Sequence, residues 1–444
     1  MEAGTDVFHT SNPFEGPEKL LEIWFTPSPA DVPGASSAID GKHGLRRVDR
    51  SVWEDMLAIV KCQVLSVVEG AEMDAYLLSE SSLFVSPHRL ILKTCGTTLN
   101  LLGLPRILEI AREHASLPTI HRCFYSRKSF FFPERQKGPH REWKDEVEYL
   151  DKIFRNGAAY SVGKMNGDHW LLYITRPPGC IPNTPTSVDR SLHGARLNGA
   201  KVHDTTDEAT VTLKAPVTDS TIEILMTHLP PTVSRAFHFP EEPGLSNTSF
   251  DKARKISSDL GITGLFPPQL TTLDSYAFSP CGYSANALLK WGETSSSRAE
   301  DHDPGYGGEG YYTIHVTPEE GWSYASFECN VPLSPAPAPH SRDIPDLGTL
   351  VRRVVGIFRP ARLTLTLFIS SAGNDETEEE VGENAIEAAQ RAFMAALTSN
   401  TTFPENAGNG HDGVYRRTDK INYDFGDYDL AFASFELAAP VTPI

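Results

Sequence analysis

The sequence is poor in cysteine and has no long apolar run. Six cysteines occur in 444 residues. They stand singly, at Cys62, Cys95, Cys123, Cys180, Cys281 and Cys329. Without a C-x-x-C pair, the pattern is typical neither of a disulfide framework nor of a zinc site, and we expect no metal. No apolar run approaches the roughly 18 residues that span a bilayer, and the N-terminus lacks the basic and apolar regions of a signal peptide. We therefore expect a cytoplasmic protein.

Positive charge is also in deficit. Lysine and arginine total 40 against 58 aspartates and glutamates, so the net charge is −18. This balance argues against nucleic acid or an anionic membrane as the main partner. It is compatible with a cationic ligand, although solubility alone is the ordinary explanation of an acidic chain. A chain of this length can bury a sizeable core without covalent cross-links.

Hydrophobic spacing predicts helices over residues 51–68, 99–114, 142–154 and 385–397. Residues 76–93 are rich in strand formers, and AAYSVGKM, HWLLYIT, YYTIHVTP and YASFECN are short strands. A helix-then-strand unit at 347–370 loosely echoes an earlier one, which is too little to predict a repeat. Helices and strands without strict βαβ alternation favour antiparallel sheets covered by helices, an α+β fold.

Three stretches read as insertions that contribute no identifiable chemistry. They are residues 177–216, 292–310 and 372–384. The last contains NDETEEE, a charged run whose composition is typical of disorder.

Taken one at a time, the individual residues give little indication of a catalytic role. Ser81 and Ser82 form only a small polar patch, and a lone Cys95 is most often a small buried hydrophobe. A histidine such as His315 on a strand is more often structural than catalytic. The segment FEGPEKLLEIWF reads as the charged face of a short amphipathic helix.

Several motifs change this interpretation because they occur together and in one order. They are FEGPEKLLEIWF, YLLSESSLFVS, KTCGTT, FYSRK, NGAAYSVGKMNGDHWLLY, EILM, FSPCGYS, YYTIHVTPE, SYASFE and FGDYDLAFASFE. In this order they resemble the eukaryotic S-adenosylmethionine decarboxylase proenzymes, from about Phe14 to Glu436. The resemblance implies one domain over residues 1–444, with the fold of a four-layer αββα sandwich: two antiparallel sheets flanked by helices.

The resemblance also implies self-processing. The chain would be cut between Glu80 and Ser81 into a small chain, 1–80, and a large chain, 81–444. Ser81 would become a pyruvoyl cofactor that holds S-adenosylmethionine as a Schiff base during loss of CO2, for spermidine and spermine biosynthesis. His315 would be the base of processing and Ser284 would assist it. Cys95 would donate the proton that replaces CO2.

Substrate-binding positions follow from the same resemblance. Phe14 and Phe278 would sandwich the adenine, and Glu319 would hold the ribose hydroxyls. Glu15 and Glu18 match N-terminal carboxylates of the active site. Leu78 and Glu80 would line the same pocket.

A second ligand, putrescine, is expected as an activator. The positions that match the diamine site are Glu22, Lys93, Asp219, Thr221, Glu223, Glu328, Phe368 and Tyr428, with Phe124 near them. Plant-type relatives place arginines in this region, where this chain has Leu20 and Ser126. Buried acids without partners are costly, and a dication would relieve their repulsion. The alternative is that Lys93 and protons neutralise the acids.

Two other functions remain open from the sequence. A catalytically silent regulatory homologue would have lost active-site residues, yet Ser81, Cys95, Ser284 and His315 are all present. A pyruvoyl enzyme for aspartate or ornithine would not need the adenine-stacking pair. We expect a homodimer of processed protomers.

Overall fold

Two large antiparallel sheets form the centre of the molecule. The computed structural model describes residues 13–37, 42–79, 81–177, 219–239, 248–291, 308–335, 344–398 and 414–438. Each sheet has eight strands, and every strand pair is antiparallel.

The first sheet is built from the N-terminal part of the chain. Its strands are β1 Lys19–Trp24, β2 Val64–Glu69, β3 Asp74–Leu78, β4 Ser81–Val85, β5 Arg89–Thr94, β6 Arg122–Lys128, β7 Gly157–Gly163 and β8 His169–Thr175. Their spatial order is β2-β3-β4-β5-β1-β6-β8-β7. Strand β1 is therefore inserted between β5 and β6, in the middle of the sheet.

The second sheet follows in the chain. Its strands are β9 Ser220–Thr227, β10 Thr271–Ala277, β11 Tyr283–Trp291, β12 Gly308–Thr317, β13 Tyr324–Cys329, β14 Arg362–Ser370, β15 Tyr415–Asp424 and β16 Tyr428–Leu437. Their order is β10-β11-β12-β13-β9-β14-β16-β15. Each strand number equals that of the corresponding strand in the first sheet plus eight, so the two sheets share one topology.

The helices follow the same duplication. They are α1 Arg50–Ile59, α2 Leu104–His114, α3 Trp143–Asp151, α4 Pro231–Ser234, α5 Ser249–Asp259, α6 Leu347–Phe358, α7 Ser371–Val381 and α8 Ala385–Thr398. In the chain, α1, α2 and α3 precede β2, β6 and β7, while α5, α6 and α8 precede β10, β14 and β15. The echo at residues 347–370 is thus part of an internal structural repeat. Within the described residues, no helix is long and apolar enough to cross a membrane.

Four hydrophobic clusters define the layers. One packs α1, α2 and α3 on the first sheet, and another packs α5, α6 and α8 on the second. The two smaller clusters combine side chains of both sheets, such as Trp170 with Phe432 and Phe84 with Tyr311. The order helix, sheet, sheet, helix is the expected αββα sandwich, and the α+β class is confirmed.

Helix boundaries depart from the sequence prediction in the first unit. Helix α1 ends at Ile59, and the residues expected to continue it to Val68 form β2. Lys61 has φ 64°, a left-handed conformation that ends the helix. Likewise, FEGPEKLLEIWF contributes β1 and not a helix. A strand buried on both faces has no alternation in its sequence that would reveal it.

The three proposed insertions have different outcomes. Residues 178–216 and 292–307 lie outside the described residues. Residues 308–310 belong to β12. Most of residues 372–384 lies in α7, although the composition of this stretch is typical of disorder. Its glutamates are good helix formers, which composition-based reasoning about disorder undervalued.

Candidate functional site

Ser81 and Cys95 are brought together by two neighbouring strands. Ser81 begins β4, is 1% exposed and pairs with Thr94, the last residue of β5. Cys95 follows directly and is half-buried. The Ser81 hydroxyl lies 3.9 Å from Cys62 Sγ. Glu80, the other half of the expected cleavage pair, lies outside the described residues.

His315 lies on β12 and contacts polar groups at both ring nitrogens. Its Nδ1 is 2.7 Å from Glu18 Oε1, and its Nε2 is 3.2 Å from Ser82 Oγ. Ser82 donates to Asn286 Oδ1 at 2.5 Å, and Asn286 Nδ2 donates to the Tyr76 carbonyl at 3.0 Å. A carboxylate only accepts, so Nδ1 is the nitrogen that faces an acceptor. Nε2 faces Ser82, the residue that follows Ser81.

Glu18 is buried yet ionised. Desolvation raises its pKa, but Lys93 and His315 lower it more, to about 2. Its carboxylate also accepts hydrogen bonds from Ser326 at 2.7 Å and Tyr324 at 3.0 Å. A permanent negative charge at Nδ1 orients the imidazole and stabilises the imidazolium that forms when Nε2 takes a proton.

Ser284 is placed next to this histidine. It lies on β11, is buried, and is the register partner of His315 across the β11–β12 pair. Leu78, at the end of β3, is fully buried and pairs with Ser81. Ser284 is therefore a neighbour of His315 in the second sheet, and Leu78 is a neighbour of Ser81 in the first.

Glu15 holds a loop in place. Its carboxylate accepts the backbone N–H groups of Phe131 at 2.7 Å and Phe132 at 2.8 Å. Its own carbonyl accepts the N–H of Gly96 at 3.1 Å, which ties it to the turn after Cys95. Burial raises the Glu15 pKa against these hydrogen bonds. The side chain thus joins the 131–132 loop and the Cys95 turn at the site.

The expected substrate-binding residues are only partly in contact. The Phe14 N–H donates to Glu319 Oε1 at 2.9 Å, and the Phe14 side chain is 52% exposed. Burial raises the pKa of Glu319. Phe278 closes a turn with Gly282, and burial followed by the charge of Glu319 raises the pKa of Cys281 in that turn to about 11. No ring contact joins Phe14 to Phe278 in the described part of the chain.

A row of polar residues runs between the sheets. On the first sheet the aligned positions are Ser82, Lys93, Leu20 and Ser126. On the second sheet they are Asn286, Thr313, Glu328, Glu223 and Thr366. Two contacts bridge the rows: Ser82 with Asn286, and Lys93 Nζ with Glu328 Oε2 at 2.8 Å.

After Lys93, the row on the first sheet continues with the uncharged Leu20 and Ser126. After Glu328, the row on the second sheet continues with another carboxylate, Glu223. Glu223 accepts from Thr366 at 3.3 Å. Burial and the charge of Glu328 raise its pKa to about 7. The pKa of Lys93 is also raised. Burial lowers it, but the charges of Glu18 and Glu328 raise it more. Lys93 therefore stays charged while Glu223 is held near its titration point.

A second acidic pair shares one arginine. Arg89 Nη1 lies 3.3 Å from Glu22 Oε1 and 3.2 Å from Asp219 Oδ1. Tyr428 donates to Asp219 at 3.3 Å. Burial raises the Glu22 pKa to about 7, although Arg89 opposes it. The chain thus has a built-in cation at Arg89, which the sequence prediction of missing cations overlooked.

Aromatic rings close this cluster. Phe368 and Tyr428 stack with centroids 4.7 Å apart, and Phe124 meets them edge-on at 5.6 Å and 5.1 Å. Thr221 pairs with Phe368 in the β9–β14 register. The structure therefore brings together all the positions expected for the diamine site.

Three contributors were missed from the sequence. They are Ser82, Asn286 and Arg89. Ser82 sits in the SESS motif, and Arg89 stands four residues before Lys93, so each was close to a position already selected. Asn286 gave no signal, because an amide on a strand has no distinctive spacing. No group of His, Cys, Asp and Glu in the described ranges has the arrangement of a metal site.

Comparison with known proteins identifies consistent relatives. A family model described as adenosylmethionine decarboxylase matches residues 11–436. The S-adenosylmethionine decarboxylase proenzyme of Xenopus laevis is 34% identical over 427 residues, 96% of this chain and 96% of the relative. The proenzyme of Saccharomyces cerevisiae is 32% identical, over 96% and 93% of the two chains. A solved Trypanosoma brucei AdoMetDC-delta26 monomer aligns with 18% identity and a TM-score of 0.43, over 80% of this chain and 99% of that one.

Proposed function

The chain belongs to the adenosylmethionine decarboxylase family and acts as an S-adenosylmethionine decarboxylase, and we propose that it makes its catalytic group by cutting itself between Glu80 and Ser81. The observation that supports this proposal is the His315 imidazole, held between Glu18 and Ser82, the residue that follows Ser81 in β4. A serine cannot break a peptide bond unaided, so an oriented base at this position is the necessary second component.

The self-cleavage proceeds in three steps in which every bond broken and formed is accounted for. The Ser81 hydroxyl oxygen attacks the carbonyl carbon of Glu80, the C–N bond breaks, and an ester replaces the amide. A base then removes the α-hydrogen of Ser81, and the Cβ–Oγ bond breaks, which releases the Glu80 carboxylate. The dehydroalanine left behind tautomerises, and one water converts it to a pyruvoyl group and ammonia. No external oxidant or reductant is needed.

His315 suits the base of this sequence. Its Nε2 faces Ser82, and ionised Glu18 on the Nδ1 side of the ring stabilises a proton that the imidazole takes up during processing. Ser82 then accepts from Nε2–H, because its own hydrogen is donated to Asn286. Ser284, across from His315, is positioned to steady the peptide during attack.

The residues around Ser81 fit a pyruvoyl group at this position, because the backbone there is buried and Cys95 follows its paired strand residue. The pyruvoyl carbonyl supplies an attachment point for the substrate amine and an acceptor for the electrons that remain when CO2 leaves. Cys95 returns a proton to the former α-carbon.

Substrate binding is proposed where Phe14 and Glu319 meet, next to Glu15 and the Cys95 turn. Phe14 and Phe278 hold the adenine, and the faces of such rings also favour the positive sulfonium. Glu319 binds the ribose hydroxyls, supported by its contact with the Phe14 backbone. Leu78 is proposed to line the same region, and Glu15 fixes the adjoining loop.

We propose that putrescine binds the acidic cluster between the sheets and activates the enzyme. The cluster contains five carboxylates, Glu18, Glu22, Asp219, Glu223 and Glu328, against the two fixed cations Lys93 and Arg89. The excess favours a dication, and the uncharged Leu20 and Ser126 continue the row opposite Glu223. Lys93 contacts both Glu328 and Glu18, which links this cluster to His315.

We also propose that the protein is cytoplasmic and forms a homodimer. The scattered cysteines suit the cytoplasm, and we expect a homodimer in which each protomer contains one small and one large chain.

Ser81→Ala tests the self-cleavage. It removes the attacking oxygen, so intact mass spectrometry should find one uncut chain. The parent protein should give two, of roughly 9 and 40 kDa at about 110 Da per residue. Ser86→Ala is the matched control, because it removes another buried serine hydroxyl in the same segment and should still be cut. Cleavage before residue 81 in Ser81→Ala would refute the mechanism. A cut protein that released no CO2 would favour the silent homologue.

A further inference from the structure

A fully buried lysine stands beside Cys95 without any role in the chemistry described so far. Lys19 begins β1, is 0% exposed, and pairs in register with Thr94, the residue before Cys95. Its Nζ donates to the Gly96 carbonyl at 2.8 Å, the residue after Cys95. The ammonium therefore lies against the turn that carries the thiol.

This ammonium has no carboxylate partner within ion-pair distance among the described residues. Its other close contact is the Phe130 ring, with Nζ 5.2 Å from the centroid. Burying a cation in this way is costly, and an unpaired buried lysine usually has a functional reason. Burial lowers the Lys19 pKa to about 8, and the strongest opposing influence is the charge of Cys95.

The charged side chains nearest to Lys19 interact mainly with other groups. Glu146 accepts from Arg127 at 2.8 Å and Tyr125 at 2.6 Å, and it lies 2.8 Å from His140. Glu15 is engaged by backbone N–H groups, as described above. Arg127 faces Lys19 across the β1–β6 pair and opposes its charge.

Tyr324 is a further titratable group on which the charge of Cys95 acts, and its hydroxyl donates to Glu18. The turn that carries Cys95 is thus the part of the candidate site that Lys19 contacts directly.

We propose that Lys19 is a positioning residue that holds the Cys95 turn and promotes proton release from the Cys95 thiol. A nearby cation favours a thiolate, so the thiol gives up its proton more readily. The hydrogen bond to Gly96 fixes the turn at the same time. This inference rests on the proposed role of Cys95 as proton donor, but the experiment below measures the reactivity of the thiol itself and not that role.

The test is the pH dependence of Cys95 alkylation by iodoacetamide, followed by peptide mass spectrometry in processed protein. Removing the cation with Lys19→Met should move the alkylation midpoint upward by about one pH unit. At neutral pH the rate should fall about threefold, because a tenfold loss of thiolate is partly offset by greater nucleophilicity. Lys19→Arg keeps a cation and should stay near the parent midpoint.

Two controls separate this effect from structural damage. Cys281 in the same samples is an internal reference whose alkylation should not change. Lys128→Met removes another buried lysine of the same sheet, paired with Asp168 at 3.1 Å, and should leave the Cys95 midpoint unchanged. Lys19→Gln replaces Lys19→Met if the latter does not fold. An unshifted Cys95 midpoint in the neutral variant would overturn the proposal, as would an equal shift in Lys128→Met.

The same variants distinguish this inference from the proposed function. If the midpoint shifts while Cys95→Ala decarboxylates normally, Lys19 controls the thiol but Cys95 is not the proton donor. If Cys95→Ala is impaired and the midpoint does not shift, the donor role stands and the Lys19 proposal fails.

Discussion

Putrescine binding should depend steeply on pH, and the structure gives the size of the effect. Glu22 and Glu223 both have a pKa near 7, raised mainly by burial. A diamine dication binds the ionised acids, so each must lose its proton first. Alkylammonium groups remain charged throughout the neutral range. Affinity should therefore rise with pH, and binding should release protons.

The order of magnitude follows from treating the two acids as separate groups that each titrate near pH 7. At pH 6 each acid is about ten-elevenths protonated, and at pH 8 about one-eleventh. Each acid then contributes about tenfold, so the dissociation constant should fall about 100-fold from pH 6 to pH 8. Glu223→Gln removes one of the two titrations and should reduce the change to about tenfold, with weaker binding at every pH above 7.

Isothermal titration calorimetry of putrescine at pH 6, 7 and 8 and constant ionic strength measures this directly. Repetition in buffers of different ionisation enthalpy counts the protons released. Glu72→Gln is the matched control, because burial also raises the pKa of this carboxyl, but it lies in the β2–β3 turn. An affinity that is flat from pH 6 to pH 8 would refute the titration argument. Absence of any putrescine binding would reject the site itself.

Two further predictions concern the catalytic group and the assembled chains. Cys95→Ala should still be processed, at least in part, but should lose about 100-fold or more in decarboxylation. After exposure to substrate, the terminal pyruvoyl group of its large chain should be found converted to alanine, whereas Cys281→Ala should keep its activity and its pyruvoyl terminus. After cleavage the small chain should co-elute with the large chain in size-exclusion chromatography without denaturant. The reason is that β1 lies between β5 and β6 and buries Leu21, Ile23 and Trp24; a separate small-chain peak under native conditions would contradict this arrangement.

The catalytic motifs were more predictable than the strands that position them. SESS and KTCGTT are distinctive at their spacing, and the β4–β5 register explains why, since Ser81 pairs with Thr94. Strand β1 was missed because it is buried on both faces, where no alternation marks a strand. The end of α1 was missed because Val64, Val67 and Val68 continue a helical spacing by chance, while β-branched residues prefer strands.

Electrostatic partners were the least predictable part of the site. Arg89 and Lys19 act across strand pairs or across the two sheets, so their roles depend on register and not on local sequence. Leu20 and Ser126 were noted as missing cations, and the register confirms that they continue the row of Lys93. The sequence alone could not indicate that β5 supplies a cation, Arg89, next to Glu22 and Asp219.

The duplicated topology places His315 and the acidic cluster on one connected set of buried side chains. Strands β5 and β13 occupy equivalent places in the two sheets, and Lys93 on one reaches Glu328 on the other at 2.8 Å. Glu18, Lys93, Glu328 and Glu223 thus form a continuous buried path from His315 to the acidic cluster. A change in protonation or occupancy at Glu223 alters the charge felt by Lys93, and Lys93 is what keeps Glu18 ionised. Because Glu18 in turn orients His315, neutralising the cluster with a dication instead of protons should affect both processing and turnover through this one path.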